Sequence, residues 1–235
     1  MEVFDILKQL HKLTEKITIN NLEYIEEDER HFVGMSLYLT IFEDCTACIV
    51  LMELQYRTAI AVILRNALEA YADLKNLEKN ANYLKDILAN EYYENITFSN
   101  KCLKYNDFRK SIYKEYEKDE NFNKNIIKMK EERIKNQISK KFQNADMGDT
   151  YDIIYNALCK ESHNNLSVLE ERHLGRDNTI QGFKSLRQVD NKLYCFAMSE
   201  MLAGALQNIY KILDMKEDED FKKILELRDI LANVS

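Results

Sequence analysis

The sequence predicts an all-α protein, an antiparallel bundle of five or more helices. Its 235 residues include no proline and only five glycines. The chain therefore lacks the turn punctuation that an all-β protein repeats every 8–12 residues or so. Apolar residues instead recur at spacings of three and four along most of its length. Its 31% charged and 46% hydrophobic residues supply the two faces that long amphipathic helices need. In the absence of tryptophan, 14 tyrosines and 10 phenylalanines provide the bulk of the core.

Residues 3–22 place Val3, Phe4, Ile6, Leu7, Leu10, Leu13 and Ile17 at helical spacing. The acidic cluster from Glu26 to Glu29 suits the first turn of a second helix, where negative charge meets the positive end of the helix dipole. That helix runs from Asp28 to Leu54, breaks near Gln55 and is followed by a third from Tyr56 to Lys79. A fourth covers Asn82 to Tyr93. From Glu94 to Asp107 the pattern weakens, and ITFSN reads as a loop or a short extended piece.

Residues 108–142 are helical but highly charged, with sparse apolar positions. Gly148-Asp149-Thr150 reads as a break and an N-cap, opening a helix from Tyr151 to His173 that Gly175 closes. GRDNTIQGFKS is a loop. A long helix from Leu186 to Leu213 and a short one from Phe221 to Ala232 complete the chain. No repeat, Pro-rich linker or low-complexity tract divides it. The expected organisation is a single domain over 1–235, with an N-terminal helix (1–27), a bundle core (28–213) and a C-terminal short helix (214–235). The helices Tyr56–Lys79 and Tyr151–His173 are expected side by side at its centre.

A net charge of −7 argues against non-specific coating of nucleic acid. No initial segment has the parts of a secretory signal, and no apolar run approaches the ~18 residues that span a bilayer. The expectation is a soluble, cytoplasmic protein without a membrane partner. Five cysteines stand at 45, 48, 102, 159 and 195. Cys45 and Cys48 form the one close pair, with no second pair at metal spacing, and read as small apolar residues of a packed helix.

The stretch Ala59 to Ala72, AIAVILRNALEAYA, is apolar on nearly every side, which marks a buried helix. Arg65 and Glu69 sit inside it four residues apart, on one face. A buried guanidinium is costly unless paired. Of the four histidines, His11 and His31 read as solvated and His173 as a helix C-terminal residue complementing the dipole. His163, in YNALCKESHNNLSVL, lies beside the apolar stripe. Buried polar groups need partners, so the economical solution has the two helices facing each other, with Glu69, Arg65 and His163 satisfying one another. Such a group is either an acid/base and anion-stabilising arrangement or a structural network, and the residues leave both open.

YRTAIAVILRNALEAYADLKNL and the later YNALCKESHNNL resemble a bacterial family of helical proteins with an R-x-x-x-E helix and a Y-x-x-x-[SC]-x-x-x-H helix. The matching positions are Arg65, Glu69, Tyr155, Cys159 and His163. That family is distantly similar to the HEPN superfamily of all-α proteins, many of them metal-independent ribonucleases of toxin–antitoxin and phage-defence systems. The HEPN pattern has an arginine about five residues before its histidine; here Leu158 occupies that place and the nearest upstream cation is Lys160. The resemblance implies His163 as general base, Glu69 as its orienting partner and Arg65 as the missing cation supplied from the other helix. It also implies Tyr155, Lys160, Ser162 and Asn164 as substrate contacts, RNA as the partner, no metal or cofactor, and a homodimer. The alternative is a non-catalytic helical interaction or adaptor module that binds a partner protein.

Two further readings concern partners. Residues 101–141 hold 13 Lys or Arg against 7 Asp or Glu, a local basic excess that suits phosphates, with Tyr105, Phe108, Tyr113 and Tyr116 placed to stack on bases; a solvated helix of mixed charge accounts for the same composition. The long helix near the C-terminus carries Leu193, Phe196, Met198, Met201, Leu202, Leu206, Ile209 and Leu213. With Gly204 between Ala203 and Ala205, its apolar face suits either a dimer contact or the monomer core.

Overall fold

A computed structural model describes residues 2–22, 28–103, 138–163, 166–174, 179–180 and 188–234. The described chain is helical: α1 (Val3–Asn20), α2 (Glu29–Glu53), α3 (Arg57–Lys79), α4 (Tyr83–Leu103), α5 (Ile138–Asn144), the single turn α6 (Gly148–Thr150), a π-helical turn (Tyr151–Tyr155), α7 (Asn156–Ser162), α8 (Leu166–His173), α9 (Gln188–Ile212) and α10 (Glu219–Val234). An isolated antiparallel bridge joins Leu174 to Ile180, the latter inside the segment expected as a loop. Two compact units divide the chain: 1–79 with 138–235, and 80–137. In the second unit, α4 runs unbroken to Leu103, so the ITFSN segment is helical rather than loop or strand. The stacking candidates Tyr105, Phe108, Tyr113 and Tyr116 lie outside the described residues, as does nearly all of the basic segment.

The first unit is a helical bundle centred on α9. This helix packs against α1, α2, α3 and α10, and Met198, Leu202, Ala205, Leu206 and Ile209 are fully buried. The apolar face with dimer potential therefore completes the monomer's own core. Gly204 serves an internal contact, since a Cβ there would run into Tyr71 Oη. α3 lies against α2 and α9 on one side and against α5 and α7 on the other.

Asp28 caps α2, its side chain accepting from the backbone N–H groups of Arg30 and His31. The ends of α2, α5 and α9 share one device. Gln55, Asp146 and Asp214 hold positive φ of 62°, 53° and 52°. At each end the next amide reaches back to a carbonyl five residues earlier: Tyr56 to Leu51, Met147 to Phe142, Met215 to Tyr210. These are Schellman closures, usually formed by glycine; a glycine-poor chain forms them with Gln and Asp. Cys45 and Cys48 are buried in α2. His11 is not solvated: its ring stacks on Phe42 at 5.0 Å and its Nε2 lies 2.7 Å from Thr46 Oγ1, so burial lowers its pKa.

Candidate functional site

α3 presents a polar file, Arg65, Glu69, Asp73 and Asn76, at spacings of four, four and three, which keep it on one face. That face meets the segment from Ile138 to Ser162. Tyr155 Oη donates to Glu69 Oε1 at 2.8 Å, and Arg65 Nε lies 3.6 Å from the same oxygen. Arg65 Nη1 also donates to Ser162 Oγ at 3.5 Å, while Ser162 Oγ donates to the Cys159 carbonyl at 2.9 Å. One turn farther along α3, Lys141 Nζ donates to Asp73 Oδ2 at 2.8 Å, and Asn76 Nδ2 donates to the Lys141 carbonyl at 3.0 Å.

The π-helical turn sets up this pairing. An i→i+5 turn accommodates one residue more than an α-turn, and here it ends on Tyr155. Phe142, Tyr151 and Tyr155 pack ring on ring, with centroids 5.0 to 5.5 Å apart. Tyr155 is buried among them and its hydroxyl faces Glu69. Seven residues later, two turns of α7 bring Ser162 to the same side. Burial first, then the bond to the Glu69 carboxylate, pushes the Tyr155 phenol well above its ordinary range. It remains a proton donor at any physiological pH.

The cluster is not sealed. The Arg65 and Glu69 side chains keep 35% and 31% of their exposure; the apolar surroundings in sequence suggested full burial. The expected continuous helix from Tyr151 to His173 is also absent. It begins with π geometry at Tyr151, and Thr150 lies inside the helical segment with no capping bond. It stops at Ser162, with His163 extended (φ −88°, ψ 140°), and resumes at Leu166. Ser-His-Asn-Asn is a run of weak helix formers, and the Ser162 hydroxyl turns back onto the backbone.

The break moves His163 away from its expected partner. Its side chain is exposed, and among the described residues no hydrogen bond or ion pair joins it to Glu69 or Arg65. Glu69 therefore orients Arg65 and takes the Tyr155 proton bond; it does not orient the imidazole. Lys160 is exposed on α7, and Asn164 lies outside the described residues. The structure thus brings Arg65, Glu69, Tyr155 and Ser162 together and leaves His163 and Lys160 on the rim. The reading by residue type missed Asp73 and Lys141, although Asp73 follows Glu69 by four and was visible as the third member of the file.

Among the described residues no group of three or more His, Cys, Asp or Glu side chains could hold a metal ion. An open groove of about 450 Å³ lies elsewhere, between α1 and α10, lined by Leu13, Ile19 and Leu227 and the stems of Gln9, Lys12 and Lys16. It contains none of the candidate residues.

The chain belongs to a family of unknown function, DUF5677, whose profile matches residues 31–182. The match takes in α2, α3 and the whole Arg65–Glu69–Tyr155–Ser162 cluster, and leaves out α1, α9 and α10. Comparison with curated proteins and with solved structures finds no match.

Proposed function

We propose that the α3–α7 cluster is the centre of a HEPN-like, metal-independent endoribonuclease, or of an RNA-binding relative, in a bacterial defence or toxin–antitoxin type system. The observation that carries this reading is the half-open guanidinium of Arg65, held by Glu69 on one side and touching Ser162, next in sequence to the exposed His163. A cation fixed in place while still reachable from solvent suits a phosphodiester, and an imidazole at the adjoining chain end suits its 2′-hydroxyl.

In this mechanism His163 accepts the proton of the ribose 2′-hydroxyl as the oxygen attacks the neighbouring phosphorus. The bond from phosphorus to the 5′-oxygen breaks, the leaving oxygen takes a proton from water, and a cyclic phosphate remains. Arg65 stabilises the charge that accumulates on the non-bridging oxygens. Glu69 and Tyr155 act behind Arg65 as positioning residues, and Lys160 supplies a second cation for a flanking phosphate. Incubation of the purified protein with cellular RNA in EDTA tests this. Cleavage that leaves cyclic phosphate ends, and that falls at least about 100-fold in Arg65→Ala and in His163→Ala, is the expected result. RNA left equally intact by all three proteins overturns the enzyme reading, and a gel-shift titration in the same buffer then decides whether RNA binding stands alone.

A second reading is favoured by the 2.8 Å bond from Tyr155 to Glu69, which satisfies the carboxylate without His163. In that reading the cluster is a structural network within a non-catalytic interaction module. Glu69→Ala then destabilises the fold while His163→Ala changes nothing measurable.

A further inference from the structure

The solvent face of α2 has a composition unlike that of an ordinary helix surface. Along this 25-residue helix the outward positions at spacings of three and four are Phe32, Ser36, Leu39, Glu43, Ala47 and Val50, followed by Leu54 just past its end. Phe32 and Leu54 are 57% and 60% exposed, and Leu39 and Val50 are exposed as well. Contrary to the expectation that no apolar run is long enough to span a bilayer, α2 contains an 18-residue stretch of mean hydropathy 1.5 that is so by length and composition, and 39% of that stretch is buried in the fold. The helix therefore keeps apolar side chains exposed beyond those it packs against α1, α3 and α9. Four large apolar side chains exposed along one helix face, around a single carboxylate, suit an interaction site.

Two details say what covers it. The exposed hydroxyls on this side of the helix are already satisfied: Ser36 donates to the Phe32 carbonyl at 2.8 Å and Thr40 to the Ser36 carbonyl at 2.9 Å. Their donor protons need no water, so covering the face strands no hydroxyl donor. The second detail is the sign of its charge. The exposed ionisable residues of α2 are Glu29, Glu43 and Glu53. Its one arginine, Arg30, is turned inward onto the Leu77 and Glu78 carbonyls at the end of α3. Glu53 has Lys8 at 3.7 Å, whereas Glu29 and Glu43 have no ion-pair partner among the described residues. Glu43 stands in the middle of the apolar stripe and Glu29 at its edge, fourteen residues apart, or about 21 Å along the axis.

We infer that this face docks an amphipathic helix of a partner protein, whose apolar side carries two basic residues about four turns apart, opposite Glu29 and Glu43. The charge decides against the other occupants. A second copy paired antiparallel through the centre of the stripe sets Glu43 against Glu43, and an anionic bilayer meets the same acids. A helix laid in register with Arg or Lys at the two positions buries the apolar residues and pairs both carboxylates, the helix-in-groove mode of recognition.

The test uses two synthetic helical peptides of about six turns, each with leucines at a three–four spacing, one with two arginines fourteen residues apart and the other with glutamates in their place. Fluorescence anisotropy with the full-length protein is expected to show the arginine peptide binding at least about tenfold more tightly than the glutamate peptide. Leu39→Lys and Val50→Lys, both at exposed positions, remove that binding with the helical circular dichroism unchanged, and Glu43→Lys inverts the preference between the peptides. Equal binding of the two peptides, or binding of neither, overturns the inference. So does a doubled mass by light scattering that Leu39→Lys returns to 27.8 kDa, because a second copy then owns the face. Co-flotation with zwitterionic vesicles that ignores Glu43→Lys assigns it to lipid and overturns the inference equally.

Discussion

Two charged pairs are built on the same face of α3, one within the helix and the other reaching across to α5, and they differ in ways that matter for function. Asp73 and Lys141 meet at 2.8 Å with side chains only 20% and 16% exposed, and the Lys141 backbone is held by Asn76 as well. Arg65 and Glu69 stand 3.6 Å apart and are about one-third exposed; the bond from Arg65 to Ser162 is long at 3.5 Å. The first pair is closed over by the fold. The second holds a guanidinium in place while leaving part of it open to solvent. Two acids one turn apart on the same helix face need not sit in equivalent ion pairs; the segment laid across each decides how open it is. Over Asp73 lies the short helix α5. Over Arg65 lies the last turn of α7, which ends there and uncovers the pair.

The largest expected effect breaks the comparison at its open end. Arg65→Ala lowers RNA cleavage or binding by about 100-fold, while stability in urea changes by no more than about 1 kcal/mol, because a half-exposed pair contributes little to folding. Asp73→Ala does the reverse. It strands a largely buried ammonium and costs about 2 kcal/mol by urea unfolding, with activity per folded molecule preserved. Equal stability losses in the two variants would erase the distinction drawn between the pairs.

Tyr155→Phe sharpens it at intermediate size. Losing the bond to Glu69 costs about 1 kcal/mol at neutral pH. The phenol's pKa is raised in the folded protein, so the native state favours the protonated form. The stabilisation is fully present below the ordinary phenol value near 10 and is lost as pH rises beyond it toward the raised folded value. The stability gap between wild type and Tyr155→Phe is therefore expected to narrow above pH ~10, read by chemical denaturation across that range. The smallest effect belongs to Ser162→Ala. A 3.5 Å contact with a partly solvated arginine contributes at most about 0.5 kcal/mol. A greater loss would mean that Ser162 also sets the end of α7, visible as a change in helical circular dichroism.

Much of the fold was legible because helical periodicity is a local signal. The boundaries of α1, α2, α3, α9 and α10 follow from apolar spacing to within a residue or two, and the break at Gln55 follows from the loss of that spacing. The errors fall where local signals conflict. ITFSN contains β-branched and small residues yet continues α4, an override of weak propensity. The Ser-His-Asn-Asn run inside an otherwise helical pattern was a stop signal, outweighed in the reading by the apolar residues on either side of it.

For the site, the sequence by itself determined which residues share a face. Arg65 and Glu69 must neighbour each other on any helix, and Tyr155, Cys159 and Ser162 must neighbour each other on another. It also determined that a guanidinium and a carboxylate embedded among apolar residues would require partners. Only the tertiary structure decided who those partners are: Tyr155 and Ser162 for the open pair, Lys141 for Asp73, and none among the described residues for the His163 side chain. It also decided which apolar helix became core, enclosing α9 on several sides and leaving α2 bare along one face. Periodicity records the angle of a side chain around its own axis. Which neighbour occupies that angle depends on contacts between residues far apart in the chain, and no local pattern encodes them.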